Sequence, residues 1–480
     1  MAIFRVLVVD DSAFMRKIIS DLIIKDSSFE IAGTAANGKE ALDKIRELKP
    51  DLVTMDVEMP EMNGLEALKI IMQEHPLPVI MLSGINEEGM KETIMALEAG
   101  AFDFIRKPSV SHSQDIQQVG ASLLEQMRTA IQAVKRRADR EEELKKASQE
   151  RADLEKAARQ SAKARTEEAN NQPEQQVVEQ KPPVVPPVPP ASSSFQRWTK
   201  PDSQQKRMAE RPGMAPISSG KGIRKASIPD MSARQAAKAA DGKRFEPEAQ
   251  TPAPQNMPEQ PKQPAAPLVE THQPAVVPAQ VRSSGGAADL RKLVAVGCST
   301  GGPRALKTLL ESLPGNFPAP IVIVQHMPPN FTRSLAQRLN TLSRLKVVEA
   351  EQGMLLENGT AYIAPGGYQM KVAGGNGSRY TISLTSEEPR NGHRPSVDTM
   401  FESLVPFTSL ERHLVLLTGM GSDGARMMKL LYDKGVQSTF AENEETCVVY
   451  GMPRSAVELK CVKHLLPLQE IGPKLIQVVK

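Results

Sequence analysis

Between Asn171 and Gly286 the chain carries 20 of its 38 prolines, and neither a helix nor a sheet can run through such a stretch. Proline lacks the N–H that a helix or ladder needs, and the Gln, Ala and Ser around it offer too little apolar surface to offset the entropy of ordering. Residues 171–286 therefore read as a disordered linker, with KPPVVPPVPP at 181–190 as a stiff polyproline II spacer rather than a docking motif. The 480-residue chain is left with two segments long enough to fold separately.

Charge and cysteine content narrow the class. The formal net charge of +3, from 60 basic and 57 acidic residues, lacks the basic excess of a nucleic-acid binder. No basic recognition helix follows the first segment either, so no nucleic-acid partner is expected. The three cysteines, Cys298, Cys447 and Cys461, have neither disulfide nor zinc spacing, which suits a reducing compartment. MAIFRVLVVDDS shows no basic leader, and no apolar run of about 18 residues occurs, so a cytoplasmic protein without membrane insertion is expected.

In the first segment short β-branched runs at 5–9, 30–35, 52–55, 79–82 and 102–105 alternate with helical patterns such as Phe14, Ile18 and Leu22. Alternating βα units of this length specify a parallel sheet with helices on both faces. Residues 139–170 are dense in Glu, Lys, Arg and Ala, with opposite charges at helical spacing (Glu141 with Lys145, Glu155 with Arg159). They read as a solvated helix, because Leu144 and Leu154 alone make no coiled-coil seam.

Ligands of an open parallel sheet bind beyond the carboxyl ends of its strands. Here those positions hold Asp10 and Asp11, Asp56, Ser83 and Lys107. Carboxylates converging at one edge repel one another unless a divalent cation joins them, and an oxygen-rich site suits Mg²⁺. A lysine and a hydroxyl beside them suit an added phosphoryl group. Through VVDDSAFMR, MDVEMPEMNG, MLSG and FIRKP, residues 1–125 resemble the response-regulator receiver family. The resemblance implies a flavodoxin-like (βα)5 fold in which Asp56 accepts a phosphoryl group from a sensor histidine kinase. It also implies Mg²⁺ held by Asp11, Asp56 and the Glu58 backbone carbonyl with Asp10 in the outer shell, and a state read out by Ser83 and Lys107. Phe104 falls at the family's switch aromatic, where core packing explains a phenylalanine equally well. Residues 126–170 complete the last helix and add the charged segment.

The second segment, 287–480, repeats apolar strands at 293–296, 321–325, 413–417 and 436–440 with helix-like stretches such as 303–313, a second α/β pattern. Its first strand runs into GCSTGGP, a glycine-rich turn that exposes Ser299 ahead of a helix beginning near Pro303. The next strand ends at His326 and a third ends in TGMGSDG, which carries Asp423. A serine, an imidazole and a carboxylate, each just past a strand end, fit a nucleophile, its general base and an orienter. The chain order Ser, His, Asp differs from the order of the α/β-hydrolase fold. Rival groups are Cys298 as a thiol nucleophile, which strand alternation points away from Ser299, and His393 with Asp398 as another base and orienter.

GCSTGGP, QHMPPNFTRSLAQRLN, YIAPGGYQM, RPSVD and LTGMGSDGA together resemble the catalytic domain of the chemotaxis methylesterases over about 290–480. The resemblance implies a doubly wound, mainly parallel α/β esterase domain without a cofactor for its ester chemistry. Its reaction is hydrolysis of glutamate γ-methyl esters on methyl-accepting chemoreceptors, often with glutamine deamidation, in a cytoplasmic protein recruited to receptor arrays. Carried over, Ser299 is the nucleophile, His326 the base, Asp423 its partner and the Met420 N–H an oxyanion donor. Departures are Cys298 for a usual alanine, Ser422 for a usual asparagine and a linker far longer than the usual connector. The competing reading is a phosphorylation-dependent scaffold with an inactive esterase domain.

Overall fold

The computed structural model describes residues 3–84, 86–108, 113–170, 290–374 and 379–480. The proline-rich linker, its 181–190 run and the Arg159 side chain lie outside the described residues. The two folded segments pack as one compact unit, Met1–Asn171 with Arg282–Lys480.

The first segment runs β1 (Phe4–Val9), α1 (Ala13–Ile23), β2 (Phe29–Ala35), α2 (Gly38–Leu48), β3 (Leu52–Asp56), α3 (Gly64–Glu74), β4 (Val79–Ser83), α4 (Glu87–Ala99), β5 (Asp103–Arg106) and α5 (Ser113–Asn170). Val6 to Val9 and Leu52 to Met55 are buried on both faces, as central strands of a parallel sheet require. Every pairing is parallel and the order is β2-β1-β3-β4-β5. Side-chain caps start the early helices: Ser12 accepts from Met15 N, Asn37 from Glu40 N, and Asn63 forms a capping box with Glu66.

Helix α5 is one continuous helix of 58 residues that runs through the charged segment. Its buried stripe is Val119, Leu123, Met127 and Ala130, and beyond it the helix is held by pairs such as Arg137–Glu141 and Glu142–Lys146. Glu141 thus pairs back to Arg137 where the sequence suggested Lys145. Leu144 and Leu154 are exposed, consistent with the absence of a seam.

The second segment runs β6 (Lys292–Cys298), α6 (Gly302–Glu311), β7 (Ile321–Gln325), α7 (Phe331–Leu342), β8 (Lys346–Glu349), β9 (Thr360–Ile363), β10 (Gln369–Gly374), β11 (Tyr380–Thr385), α8 (Val397–Ser403), β12 (Glu411–Leu416), α9 (Ala425–Asp433), β13 (Ser438–Glu442), α10 (Met452–Glu458), β14 (His464–Leu466) and α11 (Leu468–Val478). Seven strands form a parallel sheet, β14-β13-β12-β6-β7-β9-β8, and β10 and β11 pair as a separate antiparallel hairpin. Sequence periodicity found β6, β7, β12 and β13 to within two residues. It did not pick out β8, β9 and β14, which are three or four residues long, or the hairpin. From β6 the chain winds outward through β7, and β12 returns to the other side of β6, which makes a switch point at β6.

Candidate active site and acidic pocket

Strands β1 and β3 are neighbours in register, Val9 opposite Met55, so Asp10 and Asp56 leave the sheet side by side. Carboxylate oxygens of Asp10, Asp11 and Asp56 lie within 4.8 Å of one another. Lys107, just after β5, brings its ammonium to 2.9 Å from Asp10 Oδ2 and 2.6 Å from Asp56 Oδ2. Burial raises the Asp56 carboxyl to about 6 against the opposing hydrogen bond and charge of Lys107. At Lys107 the same burial is outweighed by the two carboxylates, and its ammonium is favoured.

Ser83 ends β4, buried, its hydroxyl accepting from Thr93 Oγ1 at 2.7 Å and donating to Gly84 O. The Glu58 N–H reaches Asp56 Oδ1 at 3.4 Å, while its carboxylate accepts from Asn86 Nδ2 and lies outside the carboxylate cluster. Three clustered carboxylates, of which only Asp10 and Asp56 pair with Lys107 and Asp11 is exposed, fit a hard divalent cation that prefers oxygen ligands and retained water.

The second site starts from β6 and β7, which pair in register to Cys298 opposite Gln325. The residues that follow, Ser299 and His326, are therefore neighbours one strand spacing apart. Gln325 fixes both: its amide donates to Ser299 O (3.0 Å) and His326 O (3.2 Å). The Ser299 N–H donates to Thr418 O at 3.0 Å, tying the loop after β6 to the loop after β12. Gly301 turns the chain at φ +79° into α6, which begins at Gly302 with Pro303 second. Gly419 packs so closely that a Cβ there would lie 2.9 Å from Ser299 Cβ.

His326 Nε2 lies 2.9 Å from Asp423 Oδ2, both side chains being buried. Its Nδ1 is buried and has no hydrogen-bond partner among the described residues. Asp423 also accepts from Val397 N, Asn391 Nδ2, Ser396 Oγ and Asp398 N. Burial would raise this carboxyl, but the His326 bond and charge, with the Asn391 and Val397 bonds, outweigh it and hold Asp423 below the usual carboxylate range. The Met420 N–H beside this loop has no acceptor among the described residues.

Cys298 is fully buried with Sγ 3.1 Å from Gln325 Oε1, and burial pushes its thiol up. His393 does not meet Asp398: its ring stacks on His326 at 3.7 Å and 6°, while Asp398 accepts from Asn391 Nδ2, Gly424 N and Met427 N. Gln325, Thr418 and Asn391 were not singled out in the sequence. Gln325 had a visible signal, one amide closing the apolar run IVIVQ.

The first segment covers this edge. Asp103 at the head of β5 accepts a hydrogen bond from Thr300 Oγ1, next to Ser299, and Thr129 Oγ1 of α5 lies 2.8 Å from Met420 Sδ. Phe104 packs against Phe331 of α7 with tilted rings, centroids 4.5 Å apart at 31°, so it joins the core of its own segment to that of the second. Glu98 of α4 takes a bidentate ion pair from Arg338 of α7.

Comparison with known proteins matches residues 6–119 to the response regulator receiver domain and 294–475 to the CheB methylesterase. Protein-glutamate methylesterase/protein-glutamine glutaminases from Halalkalibacterium halodurans and Geobacillus kaustophilus are 34% and 35% identical, covering 99% and 100% of this chain and 98% and 99% of theirs. The Thermotoga maritima CheB methylesterase catalytic domain, a crystal structure, is 42% identical over 39% of this chain and 98% of its own, with a TM-score of 0.38. Among the described residues no helix is long and apolar enough to cross a membrane. With both halves matched and relatives aligned end to end, the chain belongs to the CheB methylesterase family of enzymes, with a response regulator receiver domain at its N-terminal side.

Proposed function

We propose that the protein is a cytoplasmic chemoreceptor methylesterase that hydrolyses glutamate γ-methyl esters through Ser299, His326 and Asp423, under control of phosphorylation at Asp56 by a sensor histidine kinase. The observation that carries the reading is the imidazole of His326. Asp423 holds one nitrogen at 2.9 Å, the other is unpartnered, and Ser299 leaves the adjacent strand in register.

Ser299 Oγ attacks the ester carbonyl carbon as its proton passes to His326 Nδ1, and the negative charge gathers on the former carbonyl oxygen. The Met420 N–H is the donor for that oxyanion. As the tetrahedral adduct collapses, the imidazolium returns its proton to the departing methoxide, releasing methanol and leaving an acyl-Ser299. Water attacks the acyl-enzyme, giving its proton to His326, which then reprotonates Ser299 Oγ as the receptor carboxylate leaves. A primary amide follows the same course with ammonia as leaving group, the chemistry of glutamine deamidation. Asp423, kept ionised, fixes the ring and stabilises the imidazolium.

In the receiver, Asp11, Asp56 and the Glu58 carbonyl would hold Mg²⁺ with Asp10 in its outer shell, and the ion supplies charge neutralisation for phosphoryl transfer to Asp56. Lys107 and Ser83 then sense the modified carboxylate. Because Lys107 directly follows β5 and Asp103 with Phe104 begins it, a shift of Lys107 is transmitted to the surface covering the Thr300 loop. The unphosphorylated receiver occludes the site, and phosphorylation shifts the population toward an open arrangement.

The test is methanol release from methylated chemoreceptor, with and without acetyl phosphate and Mg²⁺, for wild type and Ser299→Ala. Release that requires Ser299 and rises on phosphorylation supports both halves. A folded, phosphorylated wild type that releases nothing removes the esterase assignment for this substrate and leaves a scaffold.

A further inference from the structure

The loop between β11 and α8 contributes to both His326 and Asp423. Arg390 and His393 exchange backbone hydrogen bonds (Arg390 N to His393 O 3.0 Å, His393 N to Arg390 O 2.9 Å), closing a two-residue turn. Both central residues have positive φ, Asn391 at +53° and Gly392 at +82°. That is the type I′ geometry which Asn-Gly adopts most readily. The turn is pinned from below, since Gln369 Nε2 donates to His393 O at 3.1 Å.

What the turn presents is specific. The Asn391 amide spends its two protons on two buried carboxylates, Asp423 Oδ1 at 2.8 Å and Asp398 Oδ2 at 2.9 Å. Asp398 is itself fixed through its other oxygen by Gly424 N and Met427 N, so the amide is anchored as well as donated. Two residues on, the His393 ring lies parallel to the His326 ring at 3.7 Å.

We propose that the Asn391–Gly392 turn is a positioning device for the reaction, in which His393 supplies a stacked π face for the imidazolium formed at His326 and Asn391 holds Asp423 against that ring. The inference rests on the functional reading above, in which His326 is the base. A cation over an aromatic face is stabilised electrostatically, and the stack exists before the proton arrives, so no reorganisation is needed at that moment. The partner ring must stay uncharged for this to work. Burial and the neighbouring His326 hold His393 down at about 4, with Asp423 opposing. The flanking cations are engaged elsewhere, Arg390 with Glu402 and Arg394 with the carbonyls of Ser386 and Glu387.

The full-length chain, phosphorylated with acetyl phosphate and Mg²⁺, tests this through methanol release. His393→Phe keeps an aromatic face and should hold kcat within about threefold, while His393→Ala should lower kcat about tenfold with KM little changed. Asn391→Gly tolerates the positive φ but lacks the amide, and should lower kcat about tenfold with the turn retained. The ascending limb of the pH profile should have the same midpoint in His393→Phe as in wild type. A His393→Phe variant as slow as His393→Ala, or a limb lost from its profile, would mean that the His393 nitrogens transfer protons, and the proposal fails. Wild-type rates in His393→Ala and Asn391→Gly overturn it as well.

An NMR titration of the His326 ring separates this failure from failure of the functional reading. If wild type releases no methanol, the functional reading falls, yet a His326 midpoint lowered in His393→Ala and kept in His393→Phe still supports the stack. A midpoint unmoved in both variants sinks it.

Discussion

Asp423 shows how much a single buried carboxylate is asked to do, accepting from His326, Val397, Asn391, Ser396 and Asp398. In Asp423→Asn one of the two accepting oxygens becomes an NH2 group, which faces donors that it cannot accept from. The expected result is a fall in kcat of roughly 10³- to 10⁴-fold, read as methanol release, by analogy with loss of the orienting carboxylate in other triads. Thermal melts followed by circular dichroism should also show destabilisation, because buried donors lose their acceptor. The sign of the pH effect follows from the depressed carboxyl. Its contribution to stability is present above the ordinary Asp value near about 3.9 and is lost as pH falls through the lower folded value. Ser299, His326 and Asp423 could be found in the sequence because each follows an apolar run that marks a strand end. Asn391 could not, because its role depends on a turn 32 positions from Asp423 in the chain, and sequence spacing carries no sign of that meeting.

At the scale of elements, β5 joins the two pockets in only four residues, Asp103–Arg106. Asp103 is part-buried where it accepts from Thr300, and burial raises its carboxyl to about 6. Freed from the interface it should return toward about 3.9, so the docked state holds a proton that the separated state gives up. Docking is therefore favoured most below pH about 3.9 and loses this contribution as pH rises through about 6. Hydrogen-exchange protection of the amides around Thr300, in the unphosphorylated chain, should be higher at pH 5 than at pH 7.5, and Asp103→Asn should remove the difference. Equal protection at both pH values in wild type would discard this role for Asp103. Helix α5 marks the limit of what periodicity reports. Charge spacing identified residues 139–170 as helical, but an apolar stripe that ends at Ala130 says nothing about whether a helix continues past its core. The short strands β8 and β14 escaped for a related reason, since three or four residues hold at most two alternations.

Over the whole molecule, two segments far apart in sequence make one compact unit, and that relation had no signature in either half. The residues that create it look ordinary in sequence: a phenylalanine that packs against Phe331, a glutamate on the face of α4, a threonine on α5. Among them the Glu98–Arg338 pair gives the cleanest handle. It joins α7 to α4, it is bidentate, and the Glu98 side chain is nearly buried, so loss of Arg338 leaves a largely buried carboxylate without its partner in the docked state. Removing a half-exposed guanidinium from such a pair costs about 1 to 2 kcal/mol, after discounting for solvent at the arginine, and each 1.4 kcal/mol shifts the closed-to-open ratio about tenfold. Arg338→Ala should therefore raise methanol release by the unphosphorylated chain about five- to thirtyfold if the docked receiver limits access. Release should stay at or below the phosphorylated wild-type rate, because the ester chemistry is untouched. Combining Arg338→Ala with Asp56→Asn should keep the raised basal rate while abolishing the response to acetyl phosphate. That places opening at the interface and its trigger at the acidic pocket. If Arg338→Ala leaves the basal rate unchanged while small-angle scattering shows the segments separated, occlusion is not what limits the unphosphorylated enzyme, and control by Asp56 must act on the geometry around Ser299 instead.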